Sequence, residues 1–246
     1  MNFMVILFVE TIIAASLAGL MCGYLGVYLS RLRLITLGFA VAHGAIAGAS
    51  IAFMLHLNIE LCAFVMGVAS ALSIEFVSIR FDVDRDLASM LIFSMSSAIA
   101  IIAIYMTPSL LLTSDIASIV LWGSILAITP GKIIVLSSIF TVLLGYIKAF
   151  RLELDSLLFD KKLAMAEGVD TEFHAIVFIL ICAGVISILI KFIGGLLLFS
   201  LIFTPAVAAT SVTYRRQGAV GAIIGSTAGI LGVLASFYFD LPIGAT

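Results

Sequence analysis

Apolar runs of about twenty residues, cut by short polar breaks, recur along this chain from its first residues to its last. A membrane-spanning helix needs about 20 mostly apolar residues to cross the hydrocarbon layer. By that measure the pattern predicts spans at 3–29, 34–57, 61–79, 87–106, 132–146, 173–190, 192–212 and 219–239. The fifth is short and extends into the polar interval behind it. Between the fourth and fifth, the stretch 107–131 is mixed, with Pro108, Asp115, Trp122 and Pro130 interrupting moderately apolar sequence. Its piece 116–128 is too short to span, so an interfacial or re-entrant helix fits it. The interval 148–172 (KAFRLELDSLLFDKKLAMAEGVDTE) resists the membrane altogether. It holds ten charged residues, yet keeps Leu157, Leu158, Phe159, Leu163, Met165 and Val169 between them. Apolar positions at that density predict a folded docking segment, not a disordered spacer. The expected fold is an all-α polytopic membrane protein forming one transmembrane domain over 1–246. It has about eight spans, a short interfacial helix and a polar docking loop between spans five and six.

Composition agrees with that pattern. Hydrophobic residues make up 63% of the chain and charged residues 11%, and mean hydropathy is +1.33. A soluble domain carries about 25% charged residues because it has a wet surface to cover. The net charge of −2, without a basic footprint, excludes nucleic acid as a partner. Charge placement adds orientation. Arg31 and Arg33, then Arg80 and Arg85, then Lys148, Arg151, Lys161 and Lys162, then Arg215 and Arg216 all follow odd-numbered spans. Basic residues in short loops mark the cytoplasmic side, so Lys148–Glu172 is expected in the cytoplasm and both termini outside. The N-terminal run has no basic flank and is too long for a signal-peptide core, so it reads as a retained span. Cys22, Cys62 and Cys182 stand singly in apolar runs, as buried small side chains and not as a disulfide or zinc framework.

Small residues recur at four-residue spacing at Gly44, Gly48 and Ala52, and again at Gly221, Gly225 and Gly229. Such faces let helices approach closely, within one bundle or across a dimer seam, with internal packing the favoured reading. No phosphate loop (GxxxxGKS/T), HExxH, GxSxG or dinucleotide fingerprint is present in the sequence, so the chain does not itself bind ATP in the P-loop manner. Asp82, Asp84 and Asp86 imitate the start of a calcium loop, but Leu87 takes the glycine position and Phe93 the bidentate Glu position, which leaves a solvated turn. An ionisable group at mid-helix costs about 2.5–3.5 kcal/mol and is a functional candidate by default. His43, about 15 Å into the second span, leads that group, because imidazole suits late-row divalent metals. A hydrogen bond to a backbone carbonyl is the competing reading. Glu10 lies two turns into the first span, and Glu75 is placed to snorkel or to pair with Arg80. His56 and His174, at helix ends, read as interfacial. In 191–210, Gly194, Gly195 and Pro205 interrupt the helix, and broken helices of this kind often line transport routes.

Five stretches together resemble one family, the membrane permeases of the zinc/manganese/iron ABC importers (ABC-3). LITLGFAVAHGAIAG resembles its GDxxxHAxxxG second span, and WGSILAITP its FGDxLAVTP segment. FDKKLAMAEGVD is similar to its FDxxxAxxxGV loop, KFIGGLLLFSLIFTPAVAA to its Lys-Phe-x-Gly…Pro-Ala helix, and FYFDLPIGAT to its DLPxGA signature. Gly48, Gly194, Pro205, Asp240, Pro242 and Gly244 are the motif positions here. Two departures stand out. Phe39 occupies the place where relatives carry an Asp that could share a metal with His43, and relatives continue past the final signature with another apolar helix. The resemblance implies a homodimer in a prokaryotic plasma membrane, two cytoplasmic ATPase subunits, and an external metal-binding protein. It implies a transported divalent ion (zinc, manganese or iron) and no permanently bound cofactor, with ATP hydrolysed in the partner. The docking contact would be Asp160, Leu163, Ala164, Glu167 and Gly168, Asp160 capping a short helix that Gly168 ends. The rival class is an ATP-independent, cation-coupled secondary transporter, with Glu10 and Glu75 as its relays.

Overall fold

The structure, a computed structural model, describes residues 2–32, 34–107, 130–241 and 246. The helix expected at 116–128, and the motif residues Pro242 and Gly244, lie outside the described residues. Among the described residues every regular element is a helix: α1 (Asn2–Arg31), α2 (Ile35–Met54), α3 (Ile59–Phe81), α4 (Arg85–Tyr105), α5 (Pro130–Ala149), α6 (Arg151–Phe159), α7 (Lys161–Ala166), α8 (Thr171–Ile193), α9 (Gly195–Ala209) and α10 (Tyr214–Phe239).

Polar side chains set the helix ends. Asn58 Oδ1 accepts the Leu61 N–H at 3.0 Å to start α3, and Asp170 Oδ1 accepts that of Phe173 at 3.0 Å to start α8. Each satisfies a backbone donor that no helical turn precedes. α3 and α10 stop by one shared device. Asp82 and Asp240 adopt left-handed backbones with φ of 51° and 54°. The N–H of Val83 or Leu241 then reaches back to the carbonyl of Ser78 or Ser236, at 3.2 and 3.1 Å. Both serine hydroxyls donate forward to the carbonyls of Val83 and Leu241. A short polar Asp tolerates this conformation where a bulky apolar residue does not, which gives the motif position Asp240 a structural reason.

Among the described residues six helices are long and apolar enough to cross a membrane, and the α5–α6 pair, bent by 74°, is a seventh if taken as one span. The protein is a multi-pass membrane protein, and among the described residues the expected spans at 132–146 and 192–212 do not each form a helix of full spanning length. The span expected at 192–212 is interrupted at Gly194, leaving α9 with 15 residues. At 1.5 Å per residue that is about 22 Å, short of a hydrocarbon layer of about 30 Å.

The long helices fall into two groups. In one, α1 packs on α10 and α9 through glycine. A Cβ on Gly225 would lie 2.1 Å from the Gly19 carbonyl oxygen, one on Gly23 would lie 2.1 Å from that of Gly221, and one on Gly26 would lie 2.0 Å from that of Ile202. In the other, α2 lies against α3 and α4, and α8 lies against α3. There a Cβ on Gly44 would meet Ser70 Oγ at 2.0 Å, and one on Gly48 the Cys62 carbonyl oxygen at 2.3 Å. Both small-residue faces are thus spent on internal packing. Between the groups, α1 and α9 touch α2 only sparsely. Cys22 and Cys182 are buried, Cys62 is half-buried, and all three are free thiols.

Candidate functional site

The polar interval folds as a bent arm. α6 buries Leu154 and Leu157 against the bundle, while Phe159 at its end is 83% exposed. Asp160 Oδ1 then accepts the Leu163 N–H at 3.2 Å, capping α7. The turn closes with Gly168 N–H to the Met165 carbonyl at 3.1 Å and Val169 N–H to the Ala164 carbonyl at 3.0 Å. Gly168 itself has φ of +85°, with open space where a Cβ would stand, so conformation alone demands glycine there. Of the expected contact residues, Leu163 is exposed and Glu167 accepts from Ser156 Oγ at 3.2 Å. Ala164 is fully buried and supports the turn from within. Phe159 and Met165, outside the expected set, supply the exposed apolar surface beside Leu163. Their signal in the sequence was apolar side chains kept amid charge.

Deeper in the bundle, His43 Nδ1 lies 3.0 Å from the Phe39 carbonyl oxygen, to which it donates, leaving Nε2 as the remaining ring acceptor. The imidazole stands edge-on to Phe93 at 4.5 Å between centroids. Phe39 reaches across to α9, where its ring lies 4.2 Å from that of Phe199 and 5.0 Å from that of Phe203. Phe39, His43, Phe93, Phe199 and Phe203 are all half-buried. No group of three His, Cys, Asp or Glu side chains that could hold a metal occurs among the described residues. His43 therefore sits among phenylalanines, on the carbonyl-bonded geometry that rivalled its metal reading.

The remaining candidates separate. Glu75 is buried at 4% exposure, and its carboxylate accepts from Arg85 Nε at 2.8 Å and from Arg85 Nη2, not from Arg80, which is exposed. The expectation of an Arg80 partner fails because Arg80 faces outward at the end of α3, whereas Arg85 opens α4 and folds back across the hairpin. Asp82 ends α3, Asp84 precedes α4 without a side-chain cap, and Asp86 accepts from Thr36 Oγ1 at the start of α2. Glu10 is half-buried on α1. His56 takes a left-handed φ of 55° just past α2 and is exposed. His174 is buried, with Tyr146 Oη 3.3 Å from its Nδ1 and Phe150 packed on its ring, so it is a packed residue in the first turn of α8. Gly194 has φ 77° and ψ 164°, a region that is essentially glycine-only, and it marks the break between α8 and α9. Pro205 lies inside α9.

Sequence reasoning missed one cluster. The Arg31 guanidinium lies over the Tyr214 ring at 3.6 Å and the Tyr28 ring at 5.5 Å. It donates to Gln217 Oε1 at 3.0 and 3.2 Å, and to the Tyr214 carbonyl. Tyr214 Oη in turn donates to Asp155 Oδ1 of α6 at 3.5 Å. With the Thr36–Asp86 bond, these contacts gather most of the basic loops at one end of the bundle. The pairs lie far apart in the chain, so no local pattern announced them.

A multi-pass helical membrane protein is defined here, with a capped turn at its polar end and an aromatic seam within. The family model of ABC-3, the ABC 3 transport family, matches residues 4–246, and the chain belongs to that family. It is 26% identical over 239 residues to the manganese transport system membrane protein MntC of Listeria monocytogenes, covering 96% of this chain and 84% of that one. To a probable iron transport system membrane protein of Haemophilus influenzae it is also 26% identical, covering 96% and 82%. In fold it is similar to PsaBC from Streptococcus pneumoniae, solved in complex with Fab, with a TM-score of 0.80, 24% identity, and coverage of 96% and 84%. A similar likeness joins it to an inward-facing conformation of a putative metal-chelate type ABC transporter, with a TM-score of 0.81, 16% identity, and coverage of 96% and 80%.

Proposed function

We propose that this chain is the transmembrane permease subunit of an ATP-binding cassette importer for a divalent metal ion, with manganese or iron ahead of zinc. The ions named for its relatives support that order. The observation that carries the reading is the α6–α7 arm: Phe159 at the end of α6, and Leu163 and Met165 on the short helix capped by Asp160 and ended by Gly168, are exposed side by side. Exposed apolar side chains on a rigid, rimmed turn suit insertion into a cleft on a partner. That partner is a cytoplasmic ATPase subunit, which supplies the hydrolysis for which this sequence has no phosphate loop. Two copies form a homodimer around the translocation route in a prokaryotic plasma membrane, and an external binding protein delivers the ion. Residues 148–172 lie in the cytoplasm and both termini outside, by the distribution of basic loops. His43 lines the route. The secondary-transporter alternative loses a relay, since Glu75 is held by Arg85.

The test is purification in mild detergent followed by reconstitution. A phosphate-loop ATPase copurifies, and proteoliposomes take up radiolabelled manganese or iron only when ATP is supplied on the α7 side. Uptake that persists without ATP, with no ATPase bound, overturns the importer reading.

A further inference from the structure

We propose that Phe39, Phe199 and Phe203 form a separable aromatic gate across the seam between the two helix groups, closing the way from the cytoplasm to His43. The proposal rests on the permease reading and adds the residues that hold its route shut. Phe93, Phe199 and Phe203 pack on the margin of the core, and Phe39 reaches across to them from α2. Leu37, Ala40 and Val41 beside Phe39 are fully buried in α2, whereas Phe39, Phe93, Phe199 and Phe203 are all half-buried. α2 packs along α3 and α4 but touches α9 sparsely, and the Phe39 contacts at 4.2 and 5.0 Å bridge that gap. The α1–α10 and α1–α9 seams, by contrast, are backbone against backbone at glycine. Ring contacts of this kind are individually weak and can part without breaking a hydrogen bond.

The chain also provides a joint. Gly194 holds φ 77° and ψ 164° at the start of α9, and no side-chain cap ties that helix end down. α9 is packed on α1 and α10, so it moves with them and carries Phe199 and Phe203 away from Phe39. In the proposed orientation α2 enters from the cytoplasm, which puts Phe39 about 6 Å and His43 about 12 Å along it. The gate therefore stands between the cytoplasm and His43. An apolar constriction stops a hydrated ion because water leaves it. At this position an Asp would attract the cation, and Phe39 bars it instead. Phe39 is a gating residue and not a lost ligand.

The experiment reads access, not transport. In inside-out vesicles holding the full chain with its partner, Cys62→Ala removes the half-buried thiol and His43→Cys introduces a reporter. A membrane-impermeant maleimide is then added from the cytoplasmic side. With Phe39 present labelling is slow. Phe39→Ala should accelerate it about tenfold, and Phe39→Leu, which keeps apolar bulk, should stay within about twofold. Phe199→Ala should match Phe39→Ala from the facing helix and serves if Phe39→Ala does not fold, as judged by melting in detergent. Equal labelling rates with and without the Phe39 or Phe199 ring, in folded protein, overturn the gate. A wild-type chain that fails ATP-dependent uptake overturns the permease reading instead, and leaves the labelling result standing.

Discussion

Glu75 and Arg85 form a two-point ion pair whose side chains are 5% and 23% exposed, bridging α3 and α4. Removing one partner of such a pair strands the other charge where water is scarce, at about 3–5 kcal/mol. Glu75→Ala should therefore lower stability by that order in detergent unfolding, while Arg80→Ala should be near neutral. The double change Glu75→Met with Arg85→Leu should recover most of the loss, because no orphan charge remains. At the docking turn the magnitudes are smaller but the consequence larger. Gly168→Ala forces an alanine into the left-handed region at about 1–2 kcal/mol, and Asp160→Ala removes the α7 cap at about 1 kcal/mol. Neither residue is part of the long-helix core, so both variants should insert normally and reach wild-type membrane levels. Metal uptake should fall several-fold in each, measured against those levels. Normal uptake in both would detach the turn from transport.

The helix seams make a sharper prediction, since glycines of similar appearance in the sequence differ in what they face. On Gly225 a Cβ would lie 2.1 Å from backbone oxygen, which cannot swing aside, so α1 and α10 must separate. Gly225→Ala should cost on the order of 1–3 kcal/mol, as overpacking does. Gly184→Ala in α8 meets only the tip of Phe64 at 3.6 Å and should leave thermal stability in detergent unchanged. That contrast also shows what was legible beforehand. The apolar runs gave most of the spans, because lipid demands unbroken helices of fixed length. Asp160 and Gly168 were legible because caps and left-handed turns have local chemistry. The four-residue spacing of Gly221, Gly225 and Gly229 announced a close approach. It did not announce that Ala15, Gly19 and Gly23 of α1 were the other side, because a stripe carries no address. The same limit hid Arg85 behind the nearer Arg80. It also hid the Phe39 stack, whose partners lie 160 and more residues further along the chain. The break before α9 was legible in Gly194 and Gly195, and the structure moves the span boundary from Lys191 to Gly194, whose backbone ends α8.

Seen whole, the bundle is two groups of helices with a thin seam, and what joins them to the docking arm decides how a partner's motion could reach the membrane. Arg31 is the joint on one side. Its guanidinium lies 3.6 Å from the Tyr214 ring and bonds Gln217, tying the end of α1 to the start of α10. Tyr214 passes the link to Asp155 on α6, which continues into the α7 turn. The arm also packs on α8 through α6 and α7, so it touches both groups, and the Tyr214–Asp155 bond adds a direct tie to the α1–α9–α10 group, which suits the rocking of one helix group against another. Variants along the link should fall in a set order. Arg31→Ala removes the stacked fork and both Gln217 bonds, so uptake per ATP hydrolysed by the complex should drop several-fold while the ATPase rate persists. Arg31→Lys keeps the charge but not the planar fork and should be intermediate. Tyr214→Phe keeps the ring over Arg31 and deletes the exposed bond to Asp155 while the packing of the arm on α8 remains, so it should change the ratio least, by about twofold or less. The measurement is paired uptake and phosphate release from the same proteoliposomes. Parallel loss of both activities across the three variants would mean that Arg31 only stabilises the fold, and that the force reaches the membrane helices by another path.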